Sequence, residues 1–182
     1  MRYMEREKIK ETLAKKQRLF YCSHCGNRLI NSHDGERERP YCTSCDSFVY
    51  ENPGVGVAAV VLDDNNRILL GRRKIGRKKG LWCIPCGYVD CHEDVWDAVV
   101  RELKEETNLD IIPQEVLQVR SNFFPPQKHA VGIWFMARWI GGELRAQDDL
   151  EDAGFFYLDD LPQMAFEGDL MVIEKIRKKY GI

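Results

Sequence analysis

The chain has 182 residues, 44% of them hydrophobic, and its 27 Lys and Arg against 29 Asp and Glu give a formal net charge of -2. That apolar content supports a buried core and argues against wholesale disorder, and the charge lacks the basic excess that nucleic-acid binding favours. No apolar run approaches the roughly 20 residues of a spanning helix, and the charged first twenty residues hold no signal-like apolar core, so the expectation is a cytoplasmic protein without a membrane partner.

In chain order, residues 4–18 read as a mixed-charge helix, and 1–19 as an N-terminal helical segment. Residues 20–50 hold four cysteines and many turn formers but no periodic run, and read as a small domain of their own. "ENPG" (51–54) marks a boundary, and 51–182 form the main domain. A buried strand starts at Val55, "DDNN" (63–66) reads as a hairpin turn and "RILLGRR" as its return strand. A basic loop and the extended pieces of "LWCIPCGYV" follow. Asp94 suits a helix cap with Asp97 three positions on, and Trp96, Val99, Val100 and Leu103 recur at helical spacing. Asn108 tolerates the left-handed conformation that ends helices. Strands are predicted at 112–121, 130–139 and in "AGFFYL", with "GG" (141–142) turning the chain. A closing helix is predicted over 168–180 with Leu170, Ile173 and Ile176 on one side. Strands mixed with helices give an α/β class.

The seven cysteines are odd in number and ordered in spacing, which favours metal over a disulfide framework. "YCSHCG" and "YCTSCD" place Cys22, Cys25, Cys42 and Cys45 as two Cys-x-x-Cys pairs sixteen residues apart. Four thiolates suit tetrahedral Zn²⁺, and so short a segment needs a metal to hold it together. This is the spacing of a structural zinc ribbon, whose closed ligand set leaves no role for His24 or His33. "CIPC" repeats the spacing, but Cys83, Cys86, Cys91 and His92 read as partly buried thiols and a loop residue.

"RELKEETNL" (101–109) puts Glu102, Glu105 and Glu106 on one helical face. Like charges there repel, so the stretch is either a solvated face or the seat of a hard divalent cation with oxygen ligands. The wider spacing is more specific. Gly87 is followed by five residues and Glu93, then seven residues and Arg101-Glu102-Leu103, any residue, Glu105-Glu106, any residue, Asn108 and Leu109. This resembles the Nudix box, with Asn108 where that pattern has Gly; Cys86 and His92 stand where the preceding loop usually has Gly. A zinc ribbon directly before such a domain is similar to the NADH pyrophosphatase group and its smaller relatives.

The resemblance implies a Nudix α/β/α sandwich with a mixed sheet, preceded by the small zinc ribbon. It implies Mg²⁺ or Mn²⁺ held by Glu102, Glu105 and Glu106, with help from the Gly87 carbonyl. Arg101 would orient the glutamates, and Glu93 would brace the loop or join the metal shell. The general base would be Glu105 or an acid of "RAQDDLED" (145–152), where Asp149 is the first choice, then Asp152 and Glu151. The implied reaction is water attack on phosphorus in a nucleoside diphosphate linked to another group: a dinucleotide such as NADH, ADP-ribose or a nucleotide-sugar. A triphosphate pyrophosphohydrolase and a nucleotide-sensing module with a partner-binding ribbon stay open as alternatives. "SNFFPPQKH" (121–129) does not match that group's Ser-Gln-Pro-Trp-Pro-Phe-Pro motif, so only the broad substrate class carries over. Phe123 and Phe124 can stack on a base, Arg72 and its basic neighbours can attract phosphates, and Phe166 and Glu167 are candidates for the pocket lining. The expected partners are a small nucleotide and, by family habit, a second copy in a homodimer.

Overall fold

The computed structural model describes residues 19–122 and 129–181. The predicted 4–18 helix and the Phe123–Phe124 pair lie outside the described residues. The described chain divides into two compact units: one running up to Pro53, which also takes His129, and one comprising Gly54–Asn122 and 130–181.

The first unit is a three-stranded antiparallel sheet of β1 (Ile30–His33), β2 (Glu38–Cys42) and β3 (Ser47–Phe48), in the order β1-β2-β3. Asp34 shapes the β1–β2 turn by accepting from the amides of Glu36 and Arg37, each at 2.9 Å. Among the described residues the buried apolar cluster here is Cys22, Leu29 and Cys42, with Leu19, Cys45 and Val49 packed against them. So small a core cannot offset the backbone entropy of ordering the segment.

The second unit has β4 (Gly54–Val61), β5 (Ile68–Arg73), β6 (Trp82–Cys83), β7 (Cys86–Tyr88), α1 (Val95–Thr107), β8 (Leu109–Asn122), β9 (Ala130–Gly142), β10 (Leu150–Phe156) and α2 (Glu167–Tyr180). A four-stranded sheet runs β7-β4-β9-β8, and a three-stranded sheet runs β10-β5-β6. The larger sheet is mixed, because β4 and β9 are parallel from Gly54↔Ala130 to Val61↔Ala137 while the other pairs are antiparallel. Side chains alternate across a strand, and β4 shows what that does. Val57, Ala59 and Val61 join Ala98, Val99 and Leu103 of α1 in one core. Ala58 and Val60 join Val172, Ile173 and Ile176 of α2 in another. Helices therefore cover both faces, giving the expected α/β/α layers. Among the described residues no helix is long and apolar enough to cross a membrane.

Three expectations change. The turn at Asp63 forms, with its carboxylate accepting from Asn65 and Arg67, but β4 and β5 share only the Leu62↔Ile68 bridge before entering different sheets. Gly141 and Gly142 end β9 as paired residues rather than turning the chain. Gly142 sits at φ 83 where a Cβ would strike the Asn108 carbonyl, so glycine is needed there for a close approach. Leu170 is 42% exposed, and the buried stripe of α2 is Asp169, Val172, Ile173 and Ile176.

Candidate active site

The site is built on α1 and on the loop that precedes it. Asp94 caps α1 by accepting from the Trp96 amide, and Asn108 closes it at φ 60 with its N–H on the Lys104 carbonyl. The Asn108 side-chain Nδ2 also donates to the Glu143 carbonyl. Of the three departures from the box pattern, Asn108 and His92 (φ 71) keep a left-handed backbone and Cys86 does not need one.

Arg101 is the hub of the acidic helix. Its guanidinium donates to both Glu93 oxygens at 2.7 and 2.8 Å, to Glu102 at 2.8 Å, to Glu105 at 3.1 Å and to the Tyr88 carbonyl at 3.0 Å. The bonds from Arg101 and the Asp90 amide hold the Glu93 carboxyl down at about 2. The resemblance implies that Arg101 orients the glutamates and that Glu93 braces the loop or joins the metal shell; in the structure Arg101 bonds to Glu93, Glu102 and Glu105.

Glu106 is different. It is 4% exposed, and Oε2 accepts from the Cys86 amide at 2.8 Å. Burial, with negative neighbours including Cys83 and Glu102, pushes its carboxyl up to about 8. Burial also raises Glu102, despite its bond to Arg101. Gly87 faces this carboxylate so closely that a Cβ would overlap it. A carboxylate that is buried and short of positive charge fits a divalent cation, which would supply the missing compensation. Glu105 remains about half exposed.

The loop at 145–152 is tied to the end of α1. Arg145 and Gln147 donate to the Thr107 and Glu106 carbonyls at 3.0 and 2.9 Å. Asp149 thereby belongs to a segment bonded beside Glu106, and its own carbonyl accepts from the Lys74 amide. Asp152 and Glu151 are turned to Arg72, at 3.4 and 3.5 Å. Arg72 is thus already engaged by two acids. Its neighbour Arg73 is the arginine near the glutamates: Cys83, Cys86 and Glu106 hold it charged, and its guanidinium lies 5.2 Å from the Phe166 ring centre.

One residue that the sequence did not single out completes the surroundings. Asp169 is 3% exposed and accepts from the Ile84 amide at 3.1 Å and the Trp134 indole at 3.0 Å. An acid in the first turn of a helix is commonplace, so no local pattern marked it.

In the first unit the ligand atoms of Cys22, Cys25, Cys42 and Cys45 all lie within 4.8 Å of one another, the only such group among the described residues. Sulfurs around a metal at about 2.3 Å in a tetrahedron stand roughly 3.8 Å apart; Cys22–Cys45 is 3.9 Å and Cys25–Cys42 is 3.5 Å. Amides of Cys25 and His24 lower the Cys22 thiol to about 6, while the crowding of Cys25 and Cys42 raises Cys45 to about 12. Without a cation these four thiols cannot all ionise, so the quartet is suited to metal. Cys83 is buried and Cys86 half-buried, as read from the sequence, whereas Cys91 is exposed.

A NUDIX domain profile matches residues 52–175. The chain is 41% identical over 134 residues to the ADP-ribose pyrophosphatase of Methanocaldococcus jannaschii, covering 73% of this chain and 79% of that one. It is 32% identical over 145 residues to the NAD-capped RNA hydrolase NudC of Stutzerimonas stutzeri, covering 79% of this chain but only 50% of that protein. The crystal structure of a NUDIX hydrolase from Nitrosomonas europaea has the same fold, with a TM-score of 0.78, 24% identity, and coverage of 90% of this chain and 94% of that one. The box seen in the sequence, the helix and loop that carry it and these matches agree, and the chain belongs to the NUDIX family.

Proposed function

We propose that this protein is a metal-dependent pyrophosphatase that splits the diphosphate of a nucleoside diphosphate linked to another group, with ADP-ribose and dinucleotides as the leading substrates. The observation that carries this reading is the buried Glu106, held by the Cys86 amide and with no ion pair among the described residues, beside Glu102 against Gly87. The relatives' names, one for ADP-ribose and one for NAD-capped RNA, point to the same class of bond.

Glu102, Glu105, Glu106 and the Gly87 carbonyl would hold Mg²⁺ or Mn²⁺, with Asp149 joining from the 145–152 loop. When bound, such an ion neutralises charge on the phosphoryl oxygens and lowers the pKa of coordinated water. Arg101 keeps Glu102 and Glu105 oriented while Glu93 fixes Arg101. Glu105, the most exposed of the three glutamates, is proposed to take the proton from the attacking water, with Asp149 as the second choice. Phe123 and Phe124 are proposed to stack on the base, and Arg72 or Arg73 to attract the phosphates. Cys22, Cys25, Cys42 and Cys45 are proposed to bind Zn²⁺ structurally.

The test is a turnover panel with Mg²⁺ and Mn²⁺ over ADP-ribose, NADH, NAD⁺, a nucleotide-sugar, NAD-capped RNA and nucleoside triphosphates. A nucleoside monophosphate released from a diphosphate-bridged compound supports the reading, and inorganic pyrophosphate from a triphosphate replaces it with the alternative. Glu106→Gln should lower turnover by at least about a hundredfold, given what even outer-shell changes cost a metal site.

A further inference from the structure

Asp169 lies on α2, far in sequence from the box, yet both of its carboxylate oxygens are used by other elements. One accepts from the amide of Ile84, between β6 and β7, and the other from the indole of Trp134 on β9. The indole is itself closely seated: a Cβ on Gly132 or on Gly168 would come within 2.8 or 3.1 Å of its ring. The Trp134 N–H therefore has little freedom, and the acceptor it meets is fixed in turn.

Ile84 opens the four-residue segment Ile84–Pro85–Cys86–Gly87. The Pro85 carbonyl accepts from the Ala59 amide of β4. The next residue donates its amide to Glu106, and Gly87 faces Glu102. The segment is thus pinned at its start by Asp169, in its middle by β4, and at its end touches two proposed metal ligands. Both groups bonded to Asp169 are N–H donors. Only a carboxylate offers an acceptor to each; an amide would turn its NH₂ against one of them. Such a charge, 3% exposed, is costly unless compensated, and Arg73 supplies an opposite charge nearby.

Resting on the hydrolase reading above, we propose that Asp169 is a positioning residue for the hydrolytic site: it sets the Ile84–Gly87 segment so that the Cys86 amide fixes Glu106 Oε2 and leaves Oε1 for the cation. Outer-shell partners of this kind are worth about 10- to 100-fold in metal affinity or activity.

The test uses the whole 182-residue chain prepared with Zn²⁺ and Asp169→Asn, which keeps the shape and loses one acceptor. Three readouts are followed: Mn²⁺ affinity by electron paramagnetic resonance, hydrogen exchange of the Cys86 amide, and turnover of ADP-ribose. The expected result is Mn²⁺ binding weakened about tenfold, kcat lowered about tenfold and KM within about twofold, with Cys86 exchanging faster. Adding Trp134→Phe to Asp169→Asn removes the donor that the amide opposes, lets its oxygen turn to Ile84, and should restore part of the Mn²⁺ affinity. If Asp169→Asn alone fails to fold, Trp134→Phe alone, which withdraws one of the two tethers, should show the same changes at smaller size. A variant that melts earlier but keeps wild-type Mn²⁺ affinity and Cys86 exchange overturns the proposal and leaves Asp169 a stability residue. Wild-type protein that turns over nothing, with Mn²⁺ affinity unchanged by Glu106→Gln, sinks the hydrolase reading instead; the Cys86 exchange still decides whether Asp169 sets the segment.

Discussion

The two clusters suited to metal are assembled in opposite ways. The four thiols of the first unit already converge, with all ligand atoms within 4.8 Å. The glutamates of α1 do not converge on one another: Arg101 gathers Glu102 and Glu105, and a backbone amide holds Glu106. The difference follows from what surrounds each cluster. Around the thiols, among the described residues, the buried cluster is three residues, two of them from the thiol quartet, so an ion bound there would serve as the core. Around the glutamates a helix is fixed by Ala98, Val99 and Leu103 against a sheet, so the scaffold does not depend on an ion at the proposed site. A guanidinium supplies positive charge there.

The largest effect that would break this contrast is metal removal. A strong chelator should unfold the first unit, because folding and metal binding there are one process, worth about 10–16 kcal/mol in comparable sites. The second unit should keep its cooperative transition. Circular dichroism and heteronuclear spectra recorded before and after chelation check this; a first unit that stays folded without metal would remove the contrast. Next in size is Gly87→Ala. Gly87 does not have a positive φ, so alanine suits the backbone, and the damage falls on the Glu102 carboxylate that its Cβ would overlap. Displacing a ligand by about an ångström can cost on the order of a hundredfold in rate. Steady-state kinetics beside a thermal melt should show lost turnover with a retained fold.

Legibility in the sequence follows the same division. The cysteine pairs and the glutamate box were readable because their ligands sit at short, fixed spacings on a turn or one helix face. The left-handed end at Asn108 was readable because few residues tolerate it. The parting of β4 and β5 into two sheets was not, since a buried strand carries the same apolar run whichever sheet it joins. Nor was the link from Asp169 to Ile84, which spans 85 residues and exists only after α2 has packed. Leu170 shares helical spacing with the buried Ile173 and Ile176 yet is 42% exposed, because spacing assigns a side of a helix but not the depth of each residue on it. Arg72 drew attention by its basic neighbours, while its pairing with Glu151 and Asp152 spans up to 80 residues and was not legible.

A smaller effect sharpens how far the loop before α1 is strained independently of any metal. His92 holds φ 71, a conformation that costs a side-chain-bearing residue about 1–2 kcal/mol. Glycine relieves that cost but adds about 0.5–1 kcal/mol of unfolded-state entropy. His92→Gly should therefore stabilise the second unit by roughly 0.5–1 kcal/mol, seen as a higher urea midpoint at unchanged slope. A lower midpoint would mean that the imidazole makes a contribution beyond its backbone.

The smallest effect concerns the guanidinium that stands among the glutamates. Bonds from Arg101 and the Asp90 amide depress Glu93 from 4.5 to about 2 in the folded protein. A depressed carboxyl contributes stability that is fully present above its unfolded pKa and is lost as pH falls through its folded pKa. Here the window runs from about 4.5 down to about 2. Glu93→Gln lacks that titration, so the wild-type advantage over the variant should shrink steadily across the window and be constant above it. Urea unfolding of both proteins at pH 6, 4 and 2.5 measures the trend. Because the pair is solvent-accessible, the advantage should be modest and reduced by salt. An advantage independent of pH would assign Glu93 to loop packing rather than to holding Arg101, and the guanidinium would then have to be fixed by Glu102, Glu105 and the Tyr88 carbonyl alone.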